Sequence, residues 1–187
     1  LQPLTLIYLN PHLIPQVEAY FKSIFEAWNK NKHVQFKSAV RPYNISLGKT
    51  KKPDVVHHLR SDVDEKEVNL VWIGSLKKPN PNNPAGDFAK KDKGQLVDHL
   101  RILILRQKRD FGVGYLTDGY RIQFFKLTIT DDTLSLRNTD LMFLPKDGGK
   151  VLSQFLMSKD LSLFGFSMPT ILWKQQVIPN SNPTPKS

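Results

Sequence analysis

Asp54 and Lys77 are the pair in this sequence best placed to do chemistry together. Asp54 follows Pro53 at the start of an apolar stretch, and Lys77 ends another, Val68-Asn69-Leu70-Val71-Trp72-Ile73-Gly74-Ser75-Leu76. A hairpin easily brings residues with this separation side by side. Oxygen ligands can hold a hard divalent cation, which lowers the pKa of a bound water and offsets charge at a phosphate. Asp54 is a candidate ligand, and the backbone carbonyl of Leu76 is a second. Lys77 could orient the attacking water or stabilise the phosphorane, and Gly74 could let a phosphate approach the backbone. Such an arrangement would suit phosphodiester hydrolysis, with Mg2+ or Mn2+ as the cofactor of an active form. Taken singly, each residue has a plainer reading. A Pro-Asp pair is common in turns, and Lys77-Lys78 at a strand end is usually solvated surface.

The elements that must position these residues follow from periodicity. Ile14, Val17, Phe21, Ile24, Phe25 and Trp28 fall on one helical stripe, with Pro15 suited to a first turn and Asn29-Lys30-Asn31-Lys32 ending it. Val34-Phe36 and Asn44-Leu47 alternate as strands. Asp54–Leu59 and Val68–Leu76 are two more, joined by an acidic turn, which predicts an antiparallel hairpin. Lys78–Lys93 is rich in Pro, Asn and Lys and reads as a loop. A helix over about 92–107 turns Leu96, Leu100, Leu103 and Ile104 inward. Phe111–Leu116, Tyr120–Ile129 and Thr133–Leu136 are strands, with Thr117-Asp118-Gly119 as a turn. Gly148-Gly149 precedes a short helix through Phe155 and Leu156. A helix between the Lys77 strand and the Phe111 strand suits a parallel crossover. The expected fold class is α/β, a three-layer-like sandwich around a central mixed β-sheet. A single domain is expected over residues 1–178, with 179–187 as a linker or disordered tail.

Composition bounds the partners. The 187 residues carry 27 Lys+Arg against 17 Asp+Glu, a formal net charge of +10, which favours a polyanion, with an acidic membrane surface next. No apolar run approaches the ~20 residues of a membrane span. The start, Leu1-Gln2-Pro3, has no basic n-region and no initiator Met, so the chain reads as part of something longer. With no Cys, a disulfide framework and Cys-based zinc sites are excluded. There is no G-x-S-x-G, no Walker loop and no H-E-x-x-H.

The order Pro53-Asp54, then Ser75-Leu76-Lys77, then a helix opening near Gln95 resembles the core of the PD-(D/E)XK nuclease-like superfamily. In that core an Asp, a second acid and a Lys meet at a sheet edge, so the resemblance implies a restriction-endonuclease-like fold. Gln95-Leu96-Val97-Asp98-His99 resembles the Q-x-x-x-Y element of the RecB-like branch. It implies that Gln95 contacts the active-site water or a phosphate and that His99, standing where Tyr usually does, contacts a phosphate. Glu18 lies where several branches carry an extra acid. Val71–Lys78, Gln95–Leu100, Arg109–Gly119 and Leu163–Ile171 also resemble segments of the nuclease-like domain found in Crinkler-type effectors and ahead of fungal-type protein kinases. That likeness covers about residues 50–173. It implies DNA as partner, an adjoining kinase-like domain, and action in the nucleus, for Crinklers that of a host cell after secretion.

The departure is Ser75, where the pattern calls for the second acid. Three explanations stand. Asp92 could supply the carboxylate from the next helix, with Asp87 and Asp98 as alternatives. The domain could be an inert relative that still binds. Or the serine could be a substitution for the original acid. The expected function is a metal-dependent DNA nuclease with a degenerate or displaced second ligand. Its alternative is an inert nucleic-acid-binding pseudo-nuclease, which could also regulate an adjoining kinase-like domain. In either case Lys78, Lys90, Lys91, Lys93 and Arg101, with Arg106, Lys108 and Arg109, would meet phosphates.

Overall fold

The computed structural model of the chain describes residues 14–31, 36–40, 52–59, 70–80, 86–131 and 133–166. In chain order the elements are α1 (Ile14–Lys30), β1 (Phe36–Val40), β2 (Val55–Leu59), β3 (Leu70–Leu76), α2 (Lys90–Gln107), β4 (Phe111–Thr117), β5 (Arg121–Thr130), β6 (Thr133–Asn138), β7 (Met142–Phe143) and α3 (Gly149–Met157). The sheet runs β1-β2-β3-β4-β5-β6, and β7 also pairs with β5. Among the described strands only β3 and β4 pair in parallel, with α2 as the crossover between them; the other pairs are antiparallel.

Two apolar clusters divide the domain. On one face, Val17, Phe21 and Phe25 of α1, Leu152 and Leu156 of α3, and Phe164 pack with Trp72, Tyr115 and Phe124 of the sheet. On the other, Leu96, Leu100, Leu103 and Ile104 of α2 pack with Val56, Ile73, Leu116, Phe125 and Leu127. The result is the expected α/β sandwich, with helices on both faces of a mixed sheet. Strand β3 is buried along its whole length, as expected for a central strand covered on both faces.

Several boundaries differ from the expectation. Helix α2 begins at Lys90, so the loop ends earlier and Lys90, Lys91 and Lys93 sit in the first helical turn. The first strand is centred later, on Phe36–Val40. Gly149 is itself the first residue of α3. The strand expected at Asn44–Leu47, the acidic turn after β2, and the tail lie outside the described residues.

The two ends of the sheet are finished differently. At β1, the Asn29 side chain accepts from the Ser38 N–H (2.9 Å) and donates to the Ser38 carbonyl (2.8 Å). One amide thus supplies both bonds that a further strand would make to Ser38. At β6, all six residues are exposed. The segment after α3 is clasped at the opposite end of β3 and β4. Arg109, buried at the end of α2, donates to the carbonyls of Leu70, Val71 and Phe164 and lies 3.9 Å from the Phe166 ring centroid.

Candidate functional site

The pairing of β2 with β3 reaches Val55↔Gly74, and Asp54 is the next residue outward on β2. Strand β3 runs on through Ser75 and Leu76, so its end overlooks Asp54. Asp54 Oδ2 accepts from the Ser75 hydroxyl at 2.6 Å and from the Leu76 N–H at 3.0 Å. The Lys77 N–H donates to the Thr117 carbonyl (2.8 Å), which keeps β3 straight alongside β4 for one more residue. Ser75 and Lys77, two apart on an extended chain, therefore lie on one face. Lys77 Nζ donates to Gln95 Oε1 (2.8 Å) and stands 3.4 Å from Asp92 Oδ1. Asp92 and Gln95 are three apart on α2 and so share a helix side. The structure thus gathers Asp54, Ser75, Lys77, Gln95 and Asp92 at one rim of the sheet, on the α2 face.

The start of α2 is held by a device the sequence does not announce. Asp118 accepts from the Tyr120 and Arg121 N–H groups and pairs with the buried Arg121 guanidinium at 2.7 Å. Arg121 in turn donates to the Gly86 carbonyl and lies over the Phe88 ring. What reads as an ordinary Thr-Asp-Gly turn is an anchor for the chain entering α2, and so for Asp92 and Gln95. The only advance sign is Arg121, a charged residue directly after that turn.

Directly behind this rim, on the α1 face, a second polar group runs through the core. The Ser38 hydroxyl is 2.8 Å from His57 Nδ1, and His57 Nε2 is 3.1 Å from the Tyr115 hydroxyl. The His57 ring stacks on Trp72 at 4.1 Å and meets the edge of Phe25. Burial holds His57 well below the usual imidazole range, helped by His58. Burial also pushes the Tyr115 hydroxyl well up, and the charge of Asp54 adds to it. Gly74 belongs to this group. A Cβ there would lie 2.3 Å from Tyr115 Cζ and 2.6 Å from its hydroxyl oxygen. The space expected to admit a phosphate is filled by Tyr115, so that role of Gly74 is corrected.

Other candidates divide by exposure. Lys78, Lys90, Lys91 and Arg101 are exposed. Lys93 is half-buried and bonded to Asp87, which also accepts from the Phe88 N–H. His99 is 2% exposed, among Leu96, Leu100 and Leu103 on the inner side of α2. It does not face a phosphate, because helical spacing turns it into the core with those leucines. Arg109 is also no phosphate contact, since its guanidinium is spent on buried carbonyls.

A hard cation needs about six or more oxygens. Here Asp54 Oδ2 already receives two donors, and Asp92 faces the Lys77 ammonium rather than Asp54. Among the described residues there is no group of three or more His, Asp or Glu that could hold a metal ion. Among the described residues Asp54 is thus the one carboxylate at this end of β2 and β3, and Asp92 faces Lys77 rather than the place of the missing acid. No helix among the described residues is long and apolar enough to cross a membrane.

Residues 15–110, just over half of the chain, match the profile of a family described as a domain of unknown function, DUF6826. No curated protein and no solved structure matches the chain.

Proposed function

We propose that this chain, which belongs to the DUF6826 family, is a nucleic-acid-binding domain built on a nuclease-like frame that holds its polyanion without cutting it. The observation that carries the reading is the 2.6 Å hydrogen bond from Ser75 to Asp54. A carboxylate at position 75 would repel Asp54 unless a cation lay between them. The serine hydroxyl instead donates to Asp54 and removes the need for a cation. Lys77, in turn, is tied to Gln95 and Asp92. The rim is satisfied internally, so no hydrolytic step is assigned to it.

Binding then rests on the exposed cations around that rim. Lys78 follows directly on Lys77, and Lys90, Lys91 and Arg101 lie along α2. With a net charge of +10, they would bind phosphates chiefly by releasing condensed counterions. Such contacts fix position but read no base sequence. Duplex DNA is the favoured partner, and a covalently joined kinase-like domain and a nuclear site of action belong to the same proposal.

The test is fluorescence anisotropy with a labelled DNA duplex over a salt series, alongside a cleavage assay with Mg2+ or Mn2+. The expected slope of log K against log salt is about −0.9 per phosphate contacted. The combined Lys78→Glu, Lys90→Glu and Lys91→Glu variant should flatten that slope. Affinity indifferent to salt would refute nucleic-acid binding. Cleavage by the unaltered chain, abolished by Asp54→Ala, would replace this reading with an active nuclease.

A further inference from the structure

Strand β6 ends the sheet, and every residue in it is exposed, including Leu134 at 45% and Leu136 at 38%. It is nonetheless patterned as a half-buried strand. Leu134 and Leu136 stand opposite Ile129 and Leu127 of β5, on the α2 face, and Ser135 and Arg137 stand opposite Thr128 and Lys126 on the other. Leu127 is fully buried beneath the α2 cluster, whereas Leu136 beside it is open. A single helix is about 10 Å across and strands are ~4.8 Å apart, so α2 cannot cover the whole sheet and stops short of β6. An outer strand of this kind normally carries a proline, a bulge or an inward charge that blocks pairing. The register of β5 with β6 is unbroken from Phe125↔Asn138 to Thr130↔Thr133, and β6 contains no proline.

We infer that the occupant of this edge is a second copy of the chain, joined β6 to β6 in antiparallel fashion so that the sheet continues across both copies. Two features of the strand select a copy of itself. First, β6 is charged unequally at its ends, with the exposed Asp131 at the turn before it and Arg137 near its close. Antiparallel pairing of identical strands sets the acidic end of each beside the basic end of the other, whereas parallel pairing sets like beside like. Second, a two-fold axis through Ser135 places Leu134 of each copy opposite Leu136 of the other, all four on the α2 face. Directly opposed side chains are the unit of sheet stabilisation, and this register leaves no apolar residue facing a polar one. The arrangement is isologous, the commonest symmetry of soluble oligomers. It is independent of the nucleic-acid reading, because it uses none of the rim residues.

The chain has no cysteine, so one introduced thiol is an unambiguous reporter. Sedimentation equilibrium of the full chain is expected to give twice the mass of one chain. Ser135→Cys should cross-link to its symmetry mate on treatment with diamide, since the two sites face each other at the axis within reach of a disulfide. Ser23→Cys, exposed on α1, should not. Leu134→Glu should shift the mass to that of one chain with the circular dichroism spectrum unchanged, because the side chain it replaces packs against little within its own chain. A single-chain mass at every concentration, with no Ser135→Cys cross-link, would overturn the proposal and leave the edge to a strand from another protein. A dimer that neither cross-links at Ser135→Cys nor responds to Leu134→Glu would overturn it equally, by placing the contact elsewhere.

Discussion

On the α1 face of the sheet, Ser38, His57 and Tyr115 form a polar chain sealed among aromatic rings. On the α2 face, at the end of the same central strands, Asp54, Ser75, Lys77 and Gln95 form another at the rim. Each group links separate elements through hydrogen bonds, and they touch electrostatically where the Asp54 charge acts on Tyr115. What separates them is water. A sealed donor or acceptor that loses its partner bears the full cost of desolvation, so the inner chain is fixed by stability. At the rim Ser75 is buried as well, but Gln95 is exposed and Asp92 partly so, and there solvent or a ligand can take over a broken bond. A polar network therefore reads as architecture or as a site according to its access to solvent, more than by its residue types.

That contrast can be broken by mutation, starting with the largest effect. His57→Ala should destabilise the fold by about 3–5 kcal/mol in urea unfolding, because it removes a ring packed against Trp72 and Phe25 and strands the hydroxyls of Ser38 and Tyr115. A loss comparable to that of a rim variant would place the inner chain in contact with water. Gly74→Ala should cost about 1–3 kcal/mol, since its methyl group would collide with the Tyr115 ring. If the substitution were neutral, the space behind Gly74 would be open after all.

Acid sharpens the comparison next. His57 is held below its ordinary value of about 6.5, so in the folded protein it stays neutral when the unfolded chain already takes up a proton. Its contribution is fully present above that pH and is lost as pH falls below it, with a slope approaching about 1.4 kcal/mol per pH unit. Thermal melts between neutral and mildly acidic pH should show this loss, and His57→Gln should remove it. The smallest effect is expected at the rim. Lys77→Met should change stability by about 1 kcal/mol or less, since its partners Asp92 and Gln95 both reach solvent. A large stability loss from Lys77→Met would mean that the rim, too, is architecture.

The rim residues were named from their order along the chain and a family resemblance, and local rules explain why they meet. Strand alternation puts Ser75 and Lys77 on one face, helical spacing puts Asp92 and Gln95 on one side of α2, and the parallel crossover lays that helix over the strand. The inner chain was not legible, because Ser38, His57 and Tyr115 meet only through the registers of separate strand pairs. The slip in pairing between His57 and His58 also defeats simple alternation there. Gly74 was misread for the same reason, since what fills its face comes from β4. His99 and Arg109 show a different failure. Resemblance set His99 at a phosphate and charge set Arg109 there, whereas helical phase put His99 among leucines, and the sharp end of α2, where Lys108 adopts a left-handed conformation (φ 51°), turned Arg109 inward.

The amide of Asn29, closed over Ser38, has a consequence for assembly. A sheet that could accept neighbours at both ends would let copies add without limit and draw out into fibres. With one end already engaged at its middle residue, Ser38, by a side chain of its own molecule, the other is the more adhesive of the two among the described strands. Two such molecules, meeting there, exhaust each other's capacity and stop.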